Sequence, residues 1–318
     1  MTHKVWLLTD GKAGDLQQCR GVVAWLEGVE VVERVFKPGR LTALPLPFVP
    51  ISKADKPENP ASPIAPPYPD LVIASGRRTL PYLSALRFRT PATKIAFLKD
   101  PRRLGRGMAD LIWAPEHDGL TANGETIITT LTAPHPFTPE RLALDKAAAQ
   151  ARFNLADKSV IGIILGGNSK SVSWTPTLIE QFAARLTALP ENAKILITGS
   201  RRTPMDLIKT VQETLQNHDM WLWDGETGEN PYSQILAASD HLIVTGDSHN
   251  MVSEALAAPR PVHVFRPPGL AKKLTRFLDR LEKGGHILPL QTPLVNRPTK
   301  ALDATPEIAA AVQDLLNT

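Results

Sequence analysis

Three glycine-bearing turns in this sequence carry side chains able to handle an anion or a proton. The first, TDGKAGDLQQCRG, follows the apolar run KVWLLT and brings Asp10, Lys12 and Asp15 to the start of a helical stretch, with Gly11 and Gly14 easing the turn. An aspartate there is a candidate general base for a hydroxyl nucleophile, Asp15 first and Asp10 second, although Asp15 would equally serve as a helix cap. The second turn, LGGNSKSVSWTP, offers close backbone approach at Gly166 and Gly167, with donors on Asn168, Ser169 and Lys170, the makings of a phosphate cradle. A Gly-Gly pair is also ordinary strand-to-helix punctuation. The third, in HLIVTGDSHNMVSEALAA, sets Gly246, Asp247 and Ser248 at a strand end and Glu254 in the first turns of a short helix, where a carboxylate would accept from two ribose hydroxyls.

Arginine pairs repeat in the two halves. LVIASGRRTLP and ILITGSRRTP each run from an apolar strand into a small-residue turn, then Arg-Arg-Thr and proline, placing Arg77, Arg78, Arg201 and Arg202 on loops at strand carboxyl ends. The forked guanidinium suits phosphate or carboxylate, so Lys12, Arg77 and Arg78 read as acceptor or anion contacts and Arg201 and Arg202 as donor-phosphate contacts. Glu116, His117 and Asp118 follow the strand LIWA; Glu116 is a further acceptor contact and His117 a candidate proton handler. No D-x-D pair occurs, and adjacent loop side chains rarely converge on one ion, so no metal site is expected. Neither the Walker A spacing nor G-x-G-x-x-G is present, which leaves an ATPase or NAD enzyme without support.

Positioning these turns requires alternating strands and helices. Strands are predicted at KVWLLT, EVVERVF, LVIAS, KIAFL, LIWA and TIITTL, then at SVIGIIL, AKILIT, MWLW, HLIVT and PVHVF, with helices between, the signature of βαβ units and mainly parallel sheets. Two α/β halves are expected, residues 1–150 and 151–318, divided in the polar stretch at 145–157. Ten prolines between Pro38 and Pro69 forbid a regular helix or central strand, leaving an extended excursion that is either an irregular insertion or a docking flap. The stretch GLAKKLTRFLDRLEKGG draws as a basic amphipathic helix, a candidate peripheral contact with a membrane unless its apolar stripe packs on the core.

Composition sets outer limits. The chain has 318 residues, 42% hydrophobic and 21% charged, which suits a folded globular protein of about two domains and excludes a fibre or a disordered tail. Its single cysteine, Cys19, has no partner in the chain and reads as a small buried apolar residue in a reducing compartment. The N-terminus carries no secretory pattern and no apolar run approaches the roughly 20 residues of a membrane span, so a cytoplasmic protein is expected, peripheral to the inner face of the membrane at most. A net charge of +4 suits an anionic small ligand and is too mild to indicate nucleic acid.

Taken in order, TDGKAG, SGRRT, PEHD, LGG-S-K with Trp174 downstream, SRRTP, DGETGENPY and the TGDS…MVSEA run resemble the mitochondrial-fission ELM-type proteins and their bacterial relatives. That family is similar to GT-B glycosyltransferases. The resemblance implies two Rossmann-like domains facing an interdomain cleft, with a nucleotide-sugar donor on the C-terminal one and an acceptor on the N-terminal one. It also implies that the last helix, PEIAAAVQDLL, returns to the first domain. Gly166 to Lys170 would then meet the donor diphosphate, Arg201 and Arg202 would flank it, and Glu254 would bind ribose. Asp10 and Asp15 occupy the place of the catalytic base, where many inverting enzymes carry a histidine that this chain lacks. The activity implied is a metal-independent transfer of sugar from a nucleoside diphosphate to a hydroxyl acceptor, an envelope or lipid precursor, with no tightly bound cofactor. The alternatives are a non-catalytic recruitment protein, as implied by the plant members' part in mitochondrial division, and a nucleotide-sugar epimerase.

Overall fold

The computed structural model describes residues 2–39, 44, 46–155, 158–223, 225, 228–297 and 299–318. The chain divides into two compact units, Met1–Pro136 with Ala304–Thr318, and Phe137–Asp303. The first holds strands β1 (His3–Thr9), β2 (Val29–Val35), β3 (Leu71–Ser75), β4 (Lys94–Leu98), β5 (Leu111–Pro115) and β6 (Ile127–Thr130). The second holds β7 (Val160–Leu165), β8 (Lys194–Gly199), β9 (Asp219–Leu222), β10 (His241–Thr245), β11 (Val262–Phe265) and β12 (Leu288–Pro289). All pairings are parallel, in the orders β2-β1-β3-β4-β5-β6 and β12-β11-β10-β7-β8-β9.

Strands covered on both faces read as continuous apolar runs, and LVIAS and VIGIIL are buried at every position. In the first unit α1 (Ala13–Val23) and the terminal helix Thr305–Asn317 cover one sheet face, where Cys19 and Val22 pack with Val5, Leu7, Ile308 and Val312. Gly21 allows this: a Cβ there would lie 2.6 Å from the backbone of His135. The other face is covered by α2 (Leu80–Arg89), α3 (Arg102–Gly105) and the proline-rich segment, whose Ile64 is wholly buried against Trp6, Leu8, Phe36 and Tyr82. Tyr82 Oη donates to Asp55 Oδ2 at 2.8 Å, which ties α2 to a single 3-10 turn at Lys53–Asp55 in that segment.

The second unit carries α4 (Pro139–Phe153), α5 (Pro176–Ala184), α6 (Met205–Thr214), α7 (Tyr232–Ala238), α8 (His249–Ala255) and α9 (Lys272–Lys283). Thr138 Oγ1 accepts from Arg141 N and Thr175 Oγ1 from Leu178 N, each before a proline at the first helical position, which is where α4 and α5 start. The division falls before α4 rather than in its second half, between residues 150 and 151 of the polar stretch at 145–157, where the sequence suggests it, because α4 packs on α7 of the second unit. Ala156 and Asp157 of that stretch lie outside the described residues. The apolar stripe of α9, Phe277, Leu278 and Leu281, is buried, so that helix has no apolar face left for a bilayer. Among the described residues no helix is long and apolar enough to cross a membrane.

Strand order fixes where ligands go. An open parallel sheet leaves a crevice beyond its carboxyl ends where neighbouring strands send their chains to opposite sides. That point lies between β1 and β3 in the first unit and between β7 and β10 in the second.

Candidate functional site

The switch point of the first unit is formed by Thr9 to Asp15 after β1 and Ser75 to Thr79 after β3. The Asp10 side chain is only 2% exposed; its Oδ2 lies 2.8 Å from Lys12 Nζ and 3.4 Å from Arg78 Nη1, while its Oδ1 is buried without a hydrogen-bond partner. Asp15 is also buried and is ion-paired through Oδ1 with Lys99 from the loop after β4. It does not cap α1, whose N-cap position is Lys12; it sits in the first turn, under Gly76. Gly76 is at φ +89°, and a Cβ there would lie 2.7 Å from Asp15 Oδ2. This one position therefore needs glycine for both backbone and space.

Arg78 is half-buried and turned toward Asp10, whereas Arg77 is exposed. Glu116 and His117 are half-buried in the 3-10 turn that ends β5, two strands from β3 on the same sheet edge and so outside the switch point. Sequence reading missed Lys99 and its neighbour Asp100, a buried acid that accepts from Arg102 N at 2.9 Å while Arg102 holds φ +64°. The signal was available: KIAFL runs directly into KDPRR, the same strand-to-charged-turn pattern as LVIASGRRT.

In the second unit the turn after β7 is braced from within. Gly166 N donates to Thr245 Oγ1 at 2.7 Å, Gly167 N to Asp247 Oδ2 at 2.9 Å, Asn168 N to Arg202 O at 3.0 Å and Ser169 N to Val172 O at 2.9 Å. Four successive amides expected to cradle phosphate are thus already partnered within the unit. Asn168 Oδ1 accepts from Trp174 N, and Ser169 Oγ from Val172 N, so these side chains shape the loop. Cationic side chains remain: Lys170, Arg201 and Arg202 are exposed, and Arg202 Nη1 also reaches Asn168 O at 3.0 Å. The two Arg-Arg-Thr turns close alike, with Thr79 N donating to Gly76 O and Thr203 N to Ser200 O, both at 3.0 Å.

Asp247 is the brace. It accepts from Gly167 N and from Thr245 Oγ1 at 2.6 Å, and burial, against these bonds and Arg202, holds its carboxyl above the usual range. Ser248 caps α8 through Met251 N, and Glu254 stands in the last turn of α8 rather than its first. Glu254 Oε2 accepts from Tyr232 Oη at 2.5 Å, and burial pushes the Glu254 carboxyl up to about 7. Within DGETGENPY, Asp224, Glu226 and Thr227 lie outside the described residues. Asn230 accepts from Thr198 Oγ1 at 3.2 Å, and Tyr232 opens α7.

Chemically, each unit presents cations and buried acids at its own switch point: Lys12, Arg78 and Lys99 with Asp10 and Asp15 in the first, Lys170, Arg201 and Arg202 with Asp247 and Glu254 in the second. Such groupings suit anionic ligands.

A family model described as mitochondrial fission ELM1 matches residues 13–316. Uncharacterized protein RP120 of Rickettsia prowazekii (strain Madrid E) is 26% identical over 317 residues, covering 87% of each chain. The mitochondrial fission protein ELM1 of Arabidopsis thaliana is 25% identical over 242 residues, which span 68% of this chain and 56% of that one. Among solved structures, Acinetobacter baumannii MurG is similar with a TM-score of 0.51 at 14% identity, covering 99% of this chain and 92% of that one. The Neisseria meningitidis UDP-GlcNAc 2-epimerase bound to UDP-GlcNAc is similar with a TM-score of 0.51 at 12% identity, over 99% of this chain and 100% of that one. The fold is GT-B: α/β, with two six-stranded parallel sheets.

Proposed function

The chain belongs to the mitochondrial fission ELM1 family, and from that premise we propose that it is a GT-B transferase moving a sugar from a nucleoside diphosphate to a hydroxyl acceptor. The observation that carries this reading is the exposed trio Lys170, Arg201 and Arg202 at the β7/β10 switch point, beside the buried acids Asp247 and Glu254. The donor lies on the second unit, with the trio meeting its diphosphate and Glu254 its ribose. The same fold in a UDP-GlcNAc-bound epimerase supports a nucleotide sugar as the ligand.

The first unit takes the acceptor, an envelope or lipid precursor met on the cytoplasmic side. Asp10 is the better base: Lys12 and Arg78 hold its Oδ2 and leave Oδ1 without a hydrogen bond, so that oxygen takes the hydroxyl proton. As the acceptor oxygen bonds to the sugar carbon, its proton passes to Asp10 and the carbon–oxygen bond to the diphosphate breaks. The departing charge falls on Lys170, Arg201 and Arg202, which lets the transfer proceed without a metal. Lys12, Arg77 and Arg78 hold an anionic group of the acceptor.

The test is release of nucleoside diphosphate from a panel of nucleotide sugars in the presence of a membrane-lipid extract. Asp10→Asn abolishes release while nucleotide affinity stays within about twofold; full release by that variant contradicts the assignment. A second reading, a GT-B frame kept for recruitment without turnover, is favoured by the internally partnered amides of Gly166 to Ser169. It predicts no release under any pairing of donor and acceptor. An epimerase would convert the nucleotide sugar with no acceptor added.

A further inference from the structure

An open sheet ends in two edge strands, each with a row of backbone groups that no neighbouring strand takes up. Among the described residues three of the four edges here are short: β6 and β9 have four residues each and β12 has two. The remaining edge, β2, has seven, VEVVERV, in unbroken register with β1. It has no proline, lysine or bulge to discourage pairing, and four of its seven residues are valine. Val31 and Val35 are exposed.

The ladder with β1 decides which groups face outward. Gly28 O accepts from His3 N, and Phe36 N donates to Thr9 O. The even-numbered residues between them therefore turn their backbone groups to β1, while Val29, Val31, Glu33 and Val35 turn theirs away. Among the described residues no strand or loop backbone bonds to those outward groups. An antiparallel partner must set outward residues opposite outward residues, so a second copy of β2 can pair only in registers centred on one residue.

Charge selects among these registers. Centring on Val32 pairs all seven residues, sets Glu30 opposite Arg34 on both sides of the axis and sets Val29 opposite Val35. Centring on Glu30, Glu33 or Arg34 sets that charge against its own copy, and centring on Val31 leaves Arg34 opposite Gly28. Glu30 and Arg34 share the strand face that carries Val32, and among the described residues neither forms an ion pair; Glu33, on the other face, is held by Arg20 of α1 at 2.6 Å. The Arg34 guanidinium lies over the Trp6 ring, 4.7 Å from its centroid, which sets its direction before a partner arrives. The strand thus complements its own reversed copy, and this self-complementarity identifies the occupant of the edge.

We infer that two copies of this chain pair through β2, antiparallel about a two-fold axis at Val32, which joins their two six-stranded first-unit sheets into one. This pairing is independent of the nucleotide-sugar reading and stands if that reading fails.

The experiment is sedimentation velocity of the full chain over a concentration series. Wild type moves from one chain toward two as the concentration rises, as mass action requires. Val31→Pro deletes an outward N–H without touching the ladder to β1, and this variant stays at one chain throughout. Glu30→Arg and Arg34→Glu each raise the concentration at which half the chains are paired about tenfold, because the axis repeats the like-charge contact. Mixed in equal amounts, these two variants meet with opposite charges at both contacts and pair as readily as wild type. Thermal melts at a concentration where wild type is one chain establish that each variant is folded; if Val31→Pro is not, the mixture carries the test alone. Wild type that stays at one chain at every concentration overturns the proposal. So does pairing that survives in folded Val31→Pro, or a mixture that pairs no better than either charge variant by itself.

Discussion

Glu254 accepts the Tyr232 hydroxyl in a buried site, and burial lifts its carboxyl from an ordinary 4.5 to about 7. Between those values the native protein keeps a proton that the unfolded chain has released, so this group's contribution to stability is full below pH 4.5 and is lost as the pH rises through 7. Glu254→Gln keeps the hydrogen-bond acceptor and removes the titration. The stability difference between variant and wild type is therefore predicted to grow in the variant's favour from pH 4.5 to 7, by up to about 3 kcal/mol, and then level. Urea melts across that range check it, and a difference that stays flat contradicts it. Taking a difference matters because His263 titrates in the opposite sense. Burial first and the neighbouring His241 second push its imidazole down to about 4, so its contribution is lost as the pH falls from 6.5. Asp15→Asn releases Lys99 and Asp10→Asn releases Lys12 and Arg78, so both are predicted to lower stability in urea unfolding; turnover separates them, persisting in Asp15→Asn and lost in Asp10→Asn.

Among the elements, the turn after β7 depends most on one residue. A Cβ on Gly166 would lie 2.1 Å from both Asp247 carboxylate oxygens, and that carboxylate holds Gly167 N and Thr245. Gly166→Ala is predicted to destabilise the protein by about 2 kcal/mol or more in urea unfolding, with partial rescue by Asp247→Gly; a neutral Gly166→Ala would mean that the brace yields. The eleven strands read from the sequence match β1 to β11; the central ones, such as LVIAS and VIGIIL, stand out because parallel strands buried on both faces must be apolar throughout, whereas β2, VEVVERV, is a largely exposed edge strand legible only from its β-branched residues. Leu288–Pro289 was not legible, since two residues on a sheet edge have no pattern to show. The site was legible in type and place, because a strand-to-turn junction announces the ligand edge. Its hydrogen bonding was not: LGGNSK looks the same whether its amides face a phosphate or, as here, Thr245, Asp247, Arg202 and Val172. Nor does local sequence reveal that Glu254 ends α8 against a tyrosine from α7.

At the scale of the whole molecule, each unit places its cations and buried acids at its own sheet's switch point, although the two strand orders differ. A chain kept only as a frame has little use for both sets. The measurement that tests this most directly is thermal stability of wild type and the Lys170→Ala, Arg201→Ala double variant, titrated with UDP, GDP, ADP, dTDP and CMP and their sugar conjugates. Both residues are exposed, so the variant is predicted to fold with an unchanged melting temperature in buffer. One nucleotide class is predicted to raise the wild-type melting temperature with concentration, as mass action requires, and to do so far less in the variant. Absence of any shift in folded wild type, or an equal shift in both proteins, contradicts a donor site at the β7/β10 switch point.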